Sequence, residues 1–397
     1  MKTFIFLPPT IIFISLAAGC FIAFDCAHSN SRTSNDVSGN GYVMSILKTG
    51  NGPGSLEVAD FNNDGWPDLV IANVKDSSLS IFLNDRKASF TEAKGSPFFS
   101  NRYPNDIAIT DFNHDGNLDI CVANTEASFL SLFSGNGSGQ FHQIKNSPFQ
   151  VHSKPHTHGI AVADFNEDGN LDLATDDWGE NKILIIFGDG KNHFGNETFY
   201  NVGNRPYQRL RSADVSKDGK PDIITTNLEG NNATVLLGNG DGSFNQPTGS
   251  PFPCGAAPFG VAIGDVNGDE NPDLAVVNAP TITAESKGMD GLWILLGDGH
   301  GQFSTLRGSP FRTGKSPSRL AIADLDNDHI NDIAVTNYND KSITIFYMSN
   351  NGVRKIQTIQ VGNHPNGIAM QDFNKDGKND IVVSDYDDNT ITVLLSK

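Results

Sequence analysis

The residues with the plainest chemistry are aspartates set two apart. At Asp60 the chain reads D-F-N-N-D-G-W-P-D, which puts side-chain oxygens at positions one, three, five and nine: Asp60, Asn62, Asp64 and Asp68. Spacing by two along a tight turn aims alternate side chains at one centre, and Trp66 at position seven adds its carbonyl. Hard oxygen donors in that number suit Ca²⁺ better than zinc or a softer metal. Gly65 at position six permits the positive φ with which such a turn wraps an ion. The segment starts like an EF-hand but departs from it. Its twelfth residue is Ile71 instead of Glu, and a strand-forming run follows instead of a helix.

Six further copies follow. The second offers Asp111, Asn113, Asp115 and Asp119 with Asn117 at position seven, and the third Asp164, Asn166, Asp168 and Asp172 with Asn170. The fourth has Asp214, Ser216, Asp218, Asp222 and Lys220; the fifth Asp265, Asn267, Asp269, Asp273 and Asn271. The sixth has Asp324, Asp326, Asp328, Asp332 and Ile330; the seventh Asp372, Asn374, Asp376, Asp380 and Lys378. Copies four to six are the weakest: Ser216 replaces Asn, and Glu270 and His329 replace the glycine, which puts the turn in question there. These positions hold 22 of the 46 acidic residues, and seven bound Ca²⁺ would bring the net charge of -18 to about -4. Unneutralised, each cluster would repel itself strongly. The expectation is up to seven structural Ca²⁺ ions.

The elements that must hold these loops recur with them. Successive copies lie 51, 53, 50, 51, 59 and 48 residues apart. Each is preceded by a short apolar run such as Ile107-Ala108-Ile109 and followed by three more, such as 69–73, 234–238 and Gly242-Ser243-Phe244. Four short strands per unit with no helical period fit a seven-bladed β-propeller, all-β, with four-stranded blades. The last unit stops after its third strand, while Tyr42 to Lys48 has no unit of its own and reads like 356–361. That N-terminal strand is therefore expected to complete blade seven and close the ring.

Composition is consistent with this. Forty glycines and 19% charged residues suit short strands and many turns. A net charge of -18 argues against a nucleic-acid partner, which needs clustered Lys and Arg. Residues 1–26 read as an export leader, with Leu16-Ala17-Ala18-Gly19-Cys20 resembling a lipoprotein signal; Cys20 is the candidate lipidation site. Ordinary cleavage and a retained anchor are the alternatives, so membrane attachment is expected through the N-terminus alone. Residues 27–41 look like a flexible tether and 42–397 like the propeller. Four cysteines make no disulfide framework or zinc site.

The D-x-N-x-D-G-x-x-D loop with its following apolar run, seven times over residues 42–397, resembles the FG-GAP/VCBS repeat family, which includes integrin α-chain propellers and certain lectins. The resemblance implies a propeller with structural Ca²⁺ and does not imply one activity. The Phe-Gly and Gly-Ala-Pro elements are mostly absent, which moves the chain toward the VCBS branch.

A ligand site is best sought where units depart from the repeat, on the face opposite the calcium loops. Unit three has His156 and His158 in its lead-in, and Asp176-Asp177-Trp178 where units such as one and four have Ala-Asn or Thr-Asn, so the two segments are expected to lie near each other at the end of the blade. Glu57 and Arg211 stand three residues before their loops, where the other units have Ala; Arg209 and Arg319 stand five before. These could line the central channel as ion pairs or as an anion site. The chain is expected to be a secreted or envelope-attached, monomeric binding or adhesion module for a glycan or an extracellular protein. The alternatives are a polysaccharide lyase or hydrolase using His156, His158 and Asp177 or Arg211, and a non-catalytic scaffold. No nucleophile elbow, phosphate loop or dinucleotide fingerprint is present.

Overall fold

The computed structural model describes residues 41–125, 127–154, 157–279 and 288–397, together with the strand Asn35–Asp36. Seven antiparallel sheets follow one another along the chain. Their innermost strands are Pro53–Ala59, Pro104–Thr110, Ile160–Ala163, Pro206–Ala213, Pro258–Gly264, Pro317–Ala323 and Pro365–Gln371. Each packs against the next, and the seventh against the first, so the ring is closed.

The second strands (Asp68–Asn73 in blade one, Asp380–Asp385 in blade seven) are buried along their whole length in every blade. This is why they read as apolar runs without alternation. The core is divided into slabs, one at each of the seven junctions between blades. The residue at loop position two completes each slab: Phe61, Phe112, Phe165, Val215, Val266, Leu325 and Phe373. The loop is thereby locked to the following blade through burial of an apolar side chain, a contribution of roughly 1.5–3 kcal/mol each.

The ring closes as the repeat ends require. Tyr42–Lys48 pairs with Thr390–Ser396 in the register Tyr42 to Ser396 and Lys48 to Thr390. Within the expected tether, Asn35–Asp36 pairs with Met44 and Val43 along the outer edge of blade seven. The expected leader, with Cys20, lies outside the described residues.

The outer strands reveal a second repeat. In blades one, two, four and five the fourth strand is split, and its second piece follows a Ser-Pro-Phe step at Ser96, Ser147, Ser250 and Ser309. Each serine Oγ accepts the third strand's amide, from Ile81 (2.9 Å), Leu132 (2.7 Å), Val235 (3.0 Å) and Ile294 (3.1 Å). The hydroxyl bridges the gap that the break leaves in the ladder.

Candidate functional site

All seven Asp-rich loops adopt one conformation. Position six has positive φ throughout, from 82° at Gly65 to 87° at Gly169 and Gly219 among the glycines, and 66° at Glu270 and 69° at His329. Its amide donates to Oδ2 of the position-one aspartate: 2.6 Å in loop one, 2.7 Å from Glu270 and 2.8 Å from His329. The turn in question at copies five and six therefore forms. A Cβ on Gly116, Gly169, Gly219 or Gly377 would meet nothing within 4 Å, so a side chain at position six costs backbone strain but no clash.

Position nine has a role that its spacing did not suggest. Asp68 is fully buried; its Oδ2 accepts the amide of Phe61 (3.0 Å) and its Oδ1 that of Asn84 at the end of strand three (2.8 Å). The same two bonds recur at the other extreme of the ring, from Phe373 and Ser396 to Asp380. The ninth residue thus clips the loop to the third strand. Burial pushes Asp68, Asp172, Asp222 and Asp380 up to about 6, and Asp273 and Asp332 to about 7. The loops are also chained together: Lys217 Nζ donates to the Glu270 carbonyl, Asn327 to that of Gly377, and Lys375 to that of Gly65. In loop six, oxygens of Asp324, Asp326 and Asp332 lie within 4.8 Å of one another. These are carboxylate oxygens from positions one, three and nine, a donor set that fits a hard cation.

On the opposite face, the lead-in and second-strand turn of unit three do meet. His158 is 1% exposed, and of the expected acidic pair its partner is Asp176: Nδ1 lies 2.9 Å from Asp176 Oδ2. The amides of His158 and Gly159 both donate to Asp176 Oδ1 at 2.8 Å. Side chains alternate along the strand, so Asp177 turns away and accepts from the amides of Lys154 and Glu180. Its neighbours line a groove of about 610 Å³ between blades two and three, with Phe149, Phe194 and Phe199. The His158 ring packs at 4.4 Å on Tyr207, which meets Phe259 at 5.6 Å, and lies 6.1 Å from Trp178. Arg205 covers the Trp178 ring at 4.1 Å. Arg205, Tyr207 and Phe259 were not among the expected residues. His156 and the Arg209 side chain lie outside the described residues.

The channel charges converge as ion pairs. Asp106, not foreseen, is fully buried and lies 3.5 Å from both Arg211 and Arg319. It stands five residues before its loop, as Arg319 does. Arg319 is 4% exposed and already donates to Asn366, Ser55 and the Asn105 carbonyl, so it serves as an internal clasp, not as an open anion site. The Arg211 side chain remains 31% exposed. Burial, reinforced by the Asp106 charge and opposed by Arg211 and Arg319, pushes Glu57 up to about 7. Burial also raises Asp106.

Comparison with known proteins agrees with this architecture. The family described as FG-GAP-like repeat matches residues 60–122, 111–175, 214–276 and 324–383, more than half of the chain. No curated protein matches it by sequence. Among solved structures, BBS1N in complex with ARL6DN is 12% identical with a TM-score of 0.59, covering 90% of this chain and 97% of that one. A catalytically inactive virginiamycin B lyase from Staphylococcus aureus with quinupristin is 14% identical with a TM-score of 0.55, covering 90% and 100%. An Agrocybe aegerita lectin specific for non-reducing terminal N-acetylglucosamine is 17% identical with a TM-score of 0.49, covering 85% and 86%. For the first two, likeness at this level of identity is likeness of fold alone. With its seven repeated loops and closed ring, the chain belongs to the FG-GAP-like repeat family of β-propellers.

Proposed function

We propose that the chain is a calcium-stabilised, non-catalytic recognition module acting outside the cell, with a glycan or protein partner bound on the face opposite the calcium loops. The observation that carries this reading is a division of labour between the two faces. On one face seven loops repeat the same backbone and hydrogen bonds. On the other, side chains particular to blades three to five gather: His158, Trp178, Arg205, Tyr207 and Phe259. Aromatic faces beside a guanidinium suit the C–H faces and hydroxyls of a sugar ring, or a protein hot spot. The loop carboxylates would hold Ca²⁺, which supplies the cross-link that seven self-repelling clusters need.

Glycan-array screening with and without chelator tests this, alongside Trp178→Ala and Arg205→Ala. The expected result is calcium-dependent binding that both substitutions weaken. A silent array in saturating Ca²⁺ counts against the glycan, and binding unaffected by either substitution counts against this face.

A further inference from the structure

Loop six differs from the other six in two ways that belong together. It has Asp326 at position three, where the others have Asn or Ser, and so carries four carboxylates instead of three. It also has a cation of its own. The Arg354 guanidinium, on the hairpin between strands three and four of blade six, pairs with Asp326 and lies 3.2 Å from Asp328 Oδ2. It is held in place: Arg354 Nε donates to the Met348 carbonyl at 2.8 Å, and the amide of that same Met348 donates to Asp332, the ninth loop residue. Among the described residues no other loop has a cation spanning two of its carboxylates. Arg86 makes a single 3.6 Å contact with Asp64, from a side chain that is 64% exposed.

We propose that Arg354 is a built-in counter-cation of loop six, which lowers the loop's affinity for Ca²⁺ and keeps it folded without the ion. Affinity in loops of this kind follows the number of ligand charges and the rigidity of the site. A fixed positive charge against positions three and five cancels the extra acid and repels an incoming divalent ion. The same contact relieves carboxylate repulsion across two acids, where loops one and four have a single long contact each, from Arg86 to Asp64 and from Lys220 to Asp218. Loop six would then be the last to load with Ca²⁺ and the least damaged by its removal. The inference rests on the reading of the loops as calcium sites.

The test is calorimetric titration of the full chain with CaCl₂, for the wild type, Arg354→Gln, Asp324→Asn and the Arg354→Gln/Asp324→Asn pair, with melting curves in chelator. Arg354→Gln is expected to bind one more ion, or to tighten the weakest site by at least about tenfold. Asp324→Asn should abolish that gain yet remove no tight ion from the wild type. In chelator, Arg354→Gln should melt several degrees lower. Should Arg354→Gln fail to fold, the pair Arg354→Gln/Asp326→Asn, with the ligand set of loops one to three, gives the same readout. An unchanged titration overturns the proposal, as does loss of a tight ion on Asp324→Asn alone. If no variant binds Ca²⁺ at all, the calcium reading falls and this one with it.

Discussion

Arg319 Nη1 lies 3.5 Å from Asp106 Oδ1, joining blade six to blade two across the channel. The same guanidinium donates to Asn366 of blade seven, Ser55 of blade one and the Asn105 carbonyl of blade two. One buried side chain therefore ties together four blades that share no continuous sheet.

Arg319→Ala should cost about 3–5 kcal/mol of unfolding free energy, because it leaves Asp106 buried with one cation fewer. Arg319→Lys should recover little, since a point charge cannot reproduce the fork. Denaturant unfolding of Arg319→Met, Asp106→Asn and the pair measures the coupling. If the two losses add without interaction, the clasp is not an energetic unit.

Much of this architecture was legible because the information is local or periodic. Nine residues specify each loop, and the 48–59-residue recurrence specifies the blades. The closing strand was readable because Tyr42–Lys48 and 356–361 both precede Gly-Asn and then Pro. Asp106 was not readable. Its position matches that of Arg319, but which positions face each other depends on how seven blades close around an axis. The sequence sets Asp176 and Asp177 side by side near His158 without separating their roles, because neighbouring strand residues point to opposite faces and only the structure shows that Asp176 faces the lead-in. The Ser-Pro-Phe repeat was present four times, but the serine's task appears only once the broken fourth strand lies beside the third.

Asp385 gives a pH prediction. It occupies the place of Asn337, whose Oδ1 accepts the Gly314 amide and whose Nδ2 donates to Ser342 and Thr344. Asp385 accepts from Gly362, Thr390 and Thr392 in the same arrangement. Burial pushes it up to about 7. A carboxyl raised in the folded state stabilises fully below its unfolded value near 4, and that contribution is lost as pH climbs to about 7. Asp385→Asn, with the hydroxyls turned round, should match the wild type near pH 4 and exceed it at pH 8 by on the order of 2–4 kcal/mol. Equal stability at pH 8 would show that the carboxylate is charged there without penalty.

Position six offers a stabilising substitution. Glu270 and His329 hold φ of 66° and 69°, a region where a side chain costs about 1 kcal/mol or more and glycine does not. Glu270→Gly and His329→Gly should each raise stability by about 1 kcal/mol, offset in part by the greater freedom of glycine in the unfolded chain. Melting curves at fixed Ca²⁺ check it. A loss in both would mean that these side chains make contacts worth more than the strain.

Chelation and ring closure can be tested together, because they act at different places. Removal of Ca²⁺ should destabilise the loop-dependent junctions, least at loop six, by about 2.7 kcal/mol for each site held at a hundredfold excess over its Kd. A chain beginning at Asn51 keeps all seven loops but loses Tyr42–Lys48, which leaves Thr390–Ser396 as an open edge and uncovers the slab between blades six and seven. It should melt well below the full chain in Ca²⁺ while retaining its ion count, apart from weakened sites in the flanking blades. The full chain in chelator should instead lose stability with its closing strand still paired, seen as protected amides from residues 42–48 in hydrogen exchange. If the shortened chain melts with the full one, the N-terminal strand is not the closure; if chelator leaves the melt unchanged, the loops hold their shape without calcium.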